Sequence, residues 1–308
     1  MDTEATEHES AKSMRPMSMG LVRLRVRDLG LALTFYRDLL ELGVVREEGP
    51  SVWLAPSGVE GLAPSGAEGP AASPDACEQT VARTESRSVL RLDEDRDAPR
   101  RPSRTTGLFH IALRVPDRRS LAAVLARVVE RRGPLLGASD HAVSEALYLQ
   151  DPEGNGIEIY ADRPRSAWHE RDGELYMTTA PLELQGLLAE LEPGTDASHP
   201  APRTLLSVGH IHLQVSDLAA AERFYAGVLV FDVTVRSYPG ALFLSTGGYH
   251  HHVAVNVWST SHAPRPPAGA AGLVEFVVVT GETADEQRLE DPDGHIVVVR
   301  SLLRPQPD

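Results

Sequence analysis

One motif recurs along the chain, and it limits the possible folds more than any other feature. GLVRLRVRDLGLALTFYRDLLELGV starts at Gly20, GLFHIALRVPDRRSLAAVLARVV at Gly107, and GHIHLQVSDLAAAERFYAGVLVFDV at Gly209. Each segment reads as an alternating strand, an Asp, and an amphipathic helix. Asp28, Asp117 and Asp217 stand where a helix N-cap is needed, since a carboxylate accepts bonds from the free N–H groups of a first turn. Phe35-Tyr36 and Phe224-Tyr225 fall on the buried sides of the first and third helices. Short strands follow: EALYLQ and IEIY around the tight turn DPEGNG in the second repeat, ALFLST and HVAVNVW in the third. GLVEFVVVT, from Gly272, begins a fourth repeat but runs almost directly into DPDGHIVVVR, so it lacks the helix and at least one strand.

A lone βαβββ module leaves an unpaired sheet edge, and pairing two modules removes it. The expected class is therefore α+β: four βαβββ modules, the fourth shortened, forming two paired, curved mixed β-sheets of eight strands with helices outside. The expected boundaries are a disordered tail at 1–18, module one at 19–106, module two at 107–162, a linker at 163–207, module three at 208–260 and the shortened module four at 272–303. Residues 56–88 are a low-complexity insertion in module one, and the linker holds one helix, PLELQGLLAEL, with Pro181 at its start.

The bulk composition excludes several classes. Net charge is −14, which disfavours nucleic-acid phosphates. Lys12 is the single lysine; arginine bias and acidity together fit a salt-rich cytoplasm, and a high-GC codon bias explains the arginines equally well. No apolar run is long enough to span a membrane, and the acidic start MDTEATEHES is unlike a secretory leader. A cytoplasmic protein is expected. Cys77 is the only cysteine, so neither a disulfide framework nor a thiolate cluster is available. It reads as incidental. His8, His169, His199, His262 and His295 are expected to face solvent.

Residues that carry chemistry in such sheets should occupy equivalent points of each repeat. Seven positions before the capping Asp stand Leu21, His110 and His210, and in the fourth repeat alignment on Gly-Leu puts Glu275 there. Strand alternation sets His110 opposite to Ile111 and Leu113, and His210 with His212 opposite to Ile211 and Leu213. In DPEGNGIEIY, Glu158 faces away from its flanking isoleucines, and the fourth repeat has Val298 at that point. His110, His210 and Glu158 form a two-histidine, one-carboxylate set, which suits Fe(II), Mn(II) or Zn(II) with open positions for substrate. Leu21 denies the first repeat an equivalent site.

These motifs resemble those of the vicinal oxygen chelate superfamily, which includes glyoxalase I, bleomycin-resistance proteins and type I extradiol dioxygenases. The resemblance rests on the start at residues 210–225, on DPEGNGIEIY, and on GGYHHHVAVNVW. It spans about residues 19 to 300 and is strongest to CatE-like catechol 2,3-dioxygenases. It implies His110, Glu158 and His210 as ligands of a divalent metal, with Fe(II) expected. That set closes in one cleft only if modules two and three pair with each other and one with four. The resemblance further implies His251 as the residue that moves a proton near dioxygen, with His252 the alternative that strict alternation favours. It implies Tyr148 beside the diol oxygens. His141, His212, His252 and Asn256 are expected around the substrate. The implied partners are a small aromatic diol and dioxygen, and a homodimer is compatible. The rival readings are a glyoxalase-like lyase or isomerase, which would use a second carboxylate, and a non-catalytic binding module of the bleomycin-resistance type.

Overall fold

The structure, a computed structural model, describes residues 17–57, 87–192, 206–282 and 285–301. Cys77, His8, His199 and most of the expected tail and insertion lie outside the described residues. The first repeat contains β1 (Met17–Val26), a helix α1 (Leu29–Leu33) that widens into a π-helical turn at Thr34–Leu39, then β2 (Leu42–Glu48), β3 (Ser51–Pro56) and β4 (Leu90–Glu94). The second contains β5 (Gly107–Val115), α2 (Arg118–Glu130), β6 (Leu135–Asp140), β7 (Ser144–Gln150) and β8 (Gly156–Asp162). A small hairpin, β9 (Glu170–Arg171) and β10 (Glu174–Leu175), leads to β11 (Ala180–Pro181) and α3 (Leu184–Ala189). The third repeat contains β12 (Ser207–Gln214), α4 (Leu218–Tyr225), β13 (Asp232–Val235), β14 (Ala241–Ser245) and β15 (Val253–Asn256). The fourth has β16 (Gly272–Thr280), β17 (Gln287–Glu290) and β18 (Ile296–Ser301) and no helix among the described residues.

The repeats start as their capping residues dictate. The carboxylates of Asp28, Asp117 and Asp217 accept bonds from Leu31 N, Ser120 N and Ala220 N at 2.9, 2.7 and 2.6 Å. Two mixed sheets result, with orders β17-β18-β16-β1-β4-β3-β2 and β11-β6-β7-β8-β5-β12-β15-β14-β13. They have seven and nine strands rather than eight each. The fourth repeat is one strand short, and the linker adds β11 to the edge beside β6. Pro181 therefore belongs to an edge strand, where its missing N–H leaves no ladder bond unmade. The helix begins later, capped by Glu183, whose carboxylate accepts from Gln185 N and Gly186 N. Met17 and Ser18 are strand residues too, paired with Thr280 and Val279, so the first repeat starts earlier than its hydrophobic pattern announces.

Strands of the second and third repeats meet at β5 and β12, and those of the first and fourth at β1 and β16, both antiparallel. Ile111, Leu113, Val115, Ile211, Leu213 and Val215 join Val22, Leu24 and Val26 in one core with the inner faces of the helices. The alternate residues of the same strands are left to line a cleft on the other face.

Turns bolt one sheet to the other. Tyr36, on the first helix, donates its hydroxyl to Asp151 in the DPEGNG turn at 2.8 Å. Tyr225, on α4, donates to Asp291 in the DPDGH turn at 2.9 Å. All four side chains are buried. Each Asp also organises its turn, Asp151 through Asn155 and Glu153, Asp291 through Asp293 and His295. His295 is therefore buried, 7% exposed, against the expectation from its place in a polar turn. It occupies the position of Asn155 and makes the same side-chain bond to the turn Asp, which holds Asp291 below the usual carboxylate range even though burial opposes ionisation. His169 and His262 are exposed. No helix among the described residues is long and apolar enough to cross a membrane.

Tyr36→Phe and Tyr225→Phe each delete a buried hydrogen bond to a carboxylate. Each is expected to lower stability by about 1–3 kcal/mol, read as a lower midpoint of urea unfolding at unchanged slope.

Candidate active site

The concave face of the nine-stranded sheet holds the expected cluster. His110 lies on β5 opposite His212 on β12, and His210 lies opposite Ala112. Glu158 on β8 lies beside Ala112. All five side chains share one face of the sheet. Irregularities in the β5–β12 ladder fall between Val208 and His210 and between His212 and Leu213. The second leaves Phe109 as an extra residue, and such a bulge re-aims its side chain; Phe109 lines the cavity together with His110. The first contains Gly209. A Cβ there would stand 1.8 Å from the Tyr160 hydroxyl, so only glycine lets that ring lie beneath His210.

His110 Nε2 is 3.0 Å from Glu158 Oε2, His210 Nε2 is 3.6 Å from the same oxygen, and the two Nε2 atoms are 3.4 Å apart. The three residues are 6, 3 and 2% exposed in the order His110, Glu158, His210. Burial pushes His210 down to about 4, which leaves it neutral at neutral pH. Burial opposes ionisation of Glu158, but the two histidines beside it hold its carboxyl well below the usual range. Among the described residues no arginine or lysine pairs with Glu158. Convergent lone pairs around a buried, unbalanced carboxylate fit a divalent cation. A second trio, His210, His250 and His251, also has its ring nitrogens close together. It contains no anion, and both ring nitrogens of His250 are engaged, so the carboxylate trio fits a cation better.

The three consecutive histidines point in three directions. Gly247 and Gly248 have φ of +63° and +67°, a left-handed pair that turns the chain before β15 begins. His250 places Nε2 3.0 Å from Asp162 Oδ1 and Nδ1 2.7 Å from His251 Nδ1. A carboxylate only accepts, so His250 carries its proton on Nε2. Its Nδ1 then accepts from His251 Nδ1–H, and the free lone pair of His251 is on Nε2. Burial pushes both rings down, His251 well below its ordinary value. The His251 ring lies 4.0 Å from that of His210, centre to centre, and lines the cavity. His252 does not line it; its Nδ1 lies 2.9 Å from Ser245 Oγ.

Tyr148 sits directly across from Glu158 on β7. The Nδ1 of His141 donates to the Thr178 carbonyl at 2.6 Å, so its Nε2 accepts from the Tyr148 hydroxyl at 2.5 Å. Burial, then the nearby Glu158, raises Tyr148 well above its usual value, and it remains a neutral donor. Both line the cavity, as does His212, whose Nε2 accepts from Asn256 Nδ2 at 3.0 Å. Asn256 is buried behind His212 and is not part of the cavity wall.

Sequence reasoning passed over Tyr160, Asp162 and Tyr249. The Tyr160 and Tyr249 hydroxyls are 2.7 Å apart, and Tyr249 donates to Asp162 at 3.0 Å. Arg114 completes the group at 3.2 Å from Asp162. One signal was available: Glu158, Tyr160 and Asp162 alternate along β8 and share its face. Two partners of Asp162, Tyr249 and His250, are nearly ninety positions away and had no such signal. The other sheet has a different set of residues at the equivalent points. Leu21 packs with Val277 and Val298, and Glu275 is balanced by Arg23 and Arg288.

The cleft, the repeats and the two sheets define a paired βαβββ protein with a candidate metal centre. The family model for the Glyoxalase/Bleomycin resistance protein/Dioxygenase superfamily matches residues 18–159 and 207–288. A Bacillus subtilis (strain 168) protein named catechol-2,3-dioxygenase is 40% identical over 265 residues, covering 85% of this chain and 82% of the relative. The chain belongs to the Glyoxalase/Bleomycin resistance protein/Dioxygenase superfamily. Among solved structures, glyoxalase I from Zea mays superposes with a TM-score of 0.50 at 15% identity, covering 92% of each chain. A protein of Bacillus subtilis subsp. subtilis str. 168 named for a dioxygenase reaches a TM-score of 0.57 at 9% identity over 94% of this chain and 86% of that one. These likenesses concern the fold.

Metal loading is expected to give one divalent ion per chain by elemental analysis. Glu158→Gln keeps the shape but removes the charge, and is expected to weaken binding by more than about 10-fold.

Proposed function

We propose that the protein is an extradiol ring-cleaving dioxygenase acting on a catechol-type diol with dioxygen. The observation that carries this reading is the buried His110–Glu158–His210 trio, whose carboxylate no described arginine or lysine balances. The relative named catechol-2,3-dioxygenase supports it. The donor set suits Fe(II), and Mn(II) or Zn(II) fit the same ligands. When bound, the metal supplies positive charge that favours the ionised diol, and an electron path between diol and dioxygen.

The remaining work falls to side chains of the cavity. Tyr148, kept neutral and oriented by His141, which takes its hydroxyl proton, presents that oxygen as an acceptor at the wall beside Glu158, where a diol O–H would sit. His251 offers the Nε2 lone pair as proton acceptor and returns that proton as the ring opens. His250 and Asp162 fix its tautomer. Phe109 and Trp258, with ring centres 5.3 Å apart, form an apolar part of the cavity wall beside His212.

A glyoxalase-like lyase would need a second carboxylate across the cleft. Ala112 lies beside Glu158; its equivalent in the third repeat, His212, lies beside Ala254. Ala254 offers no ligand, which favours the dioxygenase reading.

Anaerobically Fe(II)-loaded protein is expected to consume oxygen with a panel of catechols. His210→Ala should abolish uptake. His251→Asn should keep its metal and lose about 10²- to 10⁴-fold in kcat. Metal-replete protein that consumes no oxygen with any catechol of the panel would refute the assignment.

A further inference from the structure

The cavity is larger than a bare diol requires, and its far end carries a charge that the chemistry above does not use. Its volume is about 730 Å³, within the range of roughly 300–1,000 Å³ that holds ligands of drug size. A single six-membered ring fills a minor part of it. The direction of the remaining space is set by β12. His210, His212 and Gln214 are alternate residues on one face, and all three line the cavity. At about 3.3 Å per residue, Gln214 lies roughly 13 Å along the strand from His210.

Arg101 stands at that far end and lines the same cavity. Its guanidinium donates to Gln214 Oε1 at 2.9 Å, to the Leu108 carbonyl at 3.0 Å and to the Thr105 carbonyl at 3.5 Å. Every one of these acceptors is neutral. Among the described residues no carboxylate forms an ion pair with Arg101. Burial alone pushes its pKa down, with no acid opposing the shift. Nearby arginines differ: Arg25 has Asp95 and Arg265 has Glu290. Among the described residues, the one other carboxylate on the cavity wall besides Glu158 is Glu153, which accepts from the backbone N–H of Arg27 at 2.7 Å. Between the trio and Arg101 the wall is apolar apart from His212 and Gln214, with Leu108, Phe109 and Trp258 among its residues. Phe109 packs edge-on against both His212 and Trp258, and all three line the cavity.

A partly desolvated guanidinium without a counter-ion is a receptor for an anion, and its planar fork matches a carboxylate. We infer that the substrate is a catechol bearing a side chain that ends in a carboxylate, with the diol at the His110–Glu158–His210 end, the apolar chain over Phe109 and Trp258, and the carboxylate on Arg101. The inference rests on the dioxygenase reading for the diol end. After allowing for the ring and for a hydrogen bond at Arg101, the span leaves room for a chain of about four to six atoms.

The test uses the full chain and three diols: catechol, a catechol with a five-carbon carboxyalkyl chain, and the primary amide of that acid. Oxygen uptake gives kcat/KM for each. A second readout is the dissociation constant, by Trp fluorescence of the metal-free protein, of the corresponding phenylalkyl acid and amide, which lack the diol. The native protein is expected to favour acid over amide about 10- to 100-fold in both readouts, chiefly through KM. Arg101→Gln should bring that ratio near one, and Arg101→Lys should restore part of it. Equal treatment of acid and amide by the native protein would overturn the inference, whatever catechol itself does. No oxygen uptake, with the phenylalkyl acid still bound better than its amide, would keep Arg101 as the anion receptor and remove the dioxygenase reading.

Discussion

The antiparallel union of β5 and β12 is the constraint on which the site depends. Each is the first strand of its repeat, and apart it would leave a row of unpaired backbone groups. Their register sets His110 against His212 and His210 against Ala112. Because side chains alternate with period two, a slip of one residue would send these histidines into the core and bring Ile111 and Ile211 into the cleft. The isoleucines and leucines of the same strands therefore protect the register, since their burial is lost in any other. The two ladder irregularities refine it. One admits Gly209 above Tyr160, and the other turns Phe109 onto the cavity wall.

Strand pairing links the second repeat to the third and the first to the fourth, while the Tyr–Asp bolts link first to second and third to fourth. The four repeats are thus closed into a ring of contacts, which explains how a fourth repeat with no helix among its described residues keeps its place. Its turn is held by Tyr225 from a neighbour's helix. The two clefts treat buried charge in opposite ways. In one, Glu275 is balanced by Arg23 and Arg288, and Leu21 and Val298 fill the remaining ligand positions. In the other, Glu158 has imidazoles and, among the described residues, no fixed cation. The same architecture thus contains a structural ion-pair cluster and one that could hold a cation, and the difference lies in a few side chains.

Much of this was legible because the chain repeats. Equivalence across repeats singled out His110, His210 and Leu21, and alternation gave Glu158 its face. The Asp caps were readable because capping is local. What escaped was set by distant contacts or by turns. Pro181 looked like a helix start because its edge-strand partner, Ser139, is far away in sequence. His295 looked solvent-facing because its turn is polar, although DPDGH aligns with DPEGN and the shared Asp needs a side-chain partner four residues on. Arg101 had no signal at all: it precedes its strand in an irregular segment, and its place on the cavity wall is set by contacts such as that with Gln214, more than a hundred residues later.

The three adjacent histidines show how the same residue type acquires different roles from backbone direction alone. Alternation would pair His252 with Ala254 and Asn256, on the cavity side. It fails because β15 begins only at Val253, after a turn opened by two left-handed glycines, and alternation holds within a strand and not across its start. Burial makes all three rings poor proton carriers on their own. Only His250 meets a carboxylate, and only His251 meets the cavity. Asp162 therefore acts on His251 at one remove, by fixing which nitrogen of His250 accepts. Arg114 and Tyr249 hold that carboxylate at the outer end of β8. The orientation of the His251 ring beside the trio is thus dictated from the far end of the strand that carries Glu158, and the carboxylate of the trio and the one that orients His251 share one rigid element.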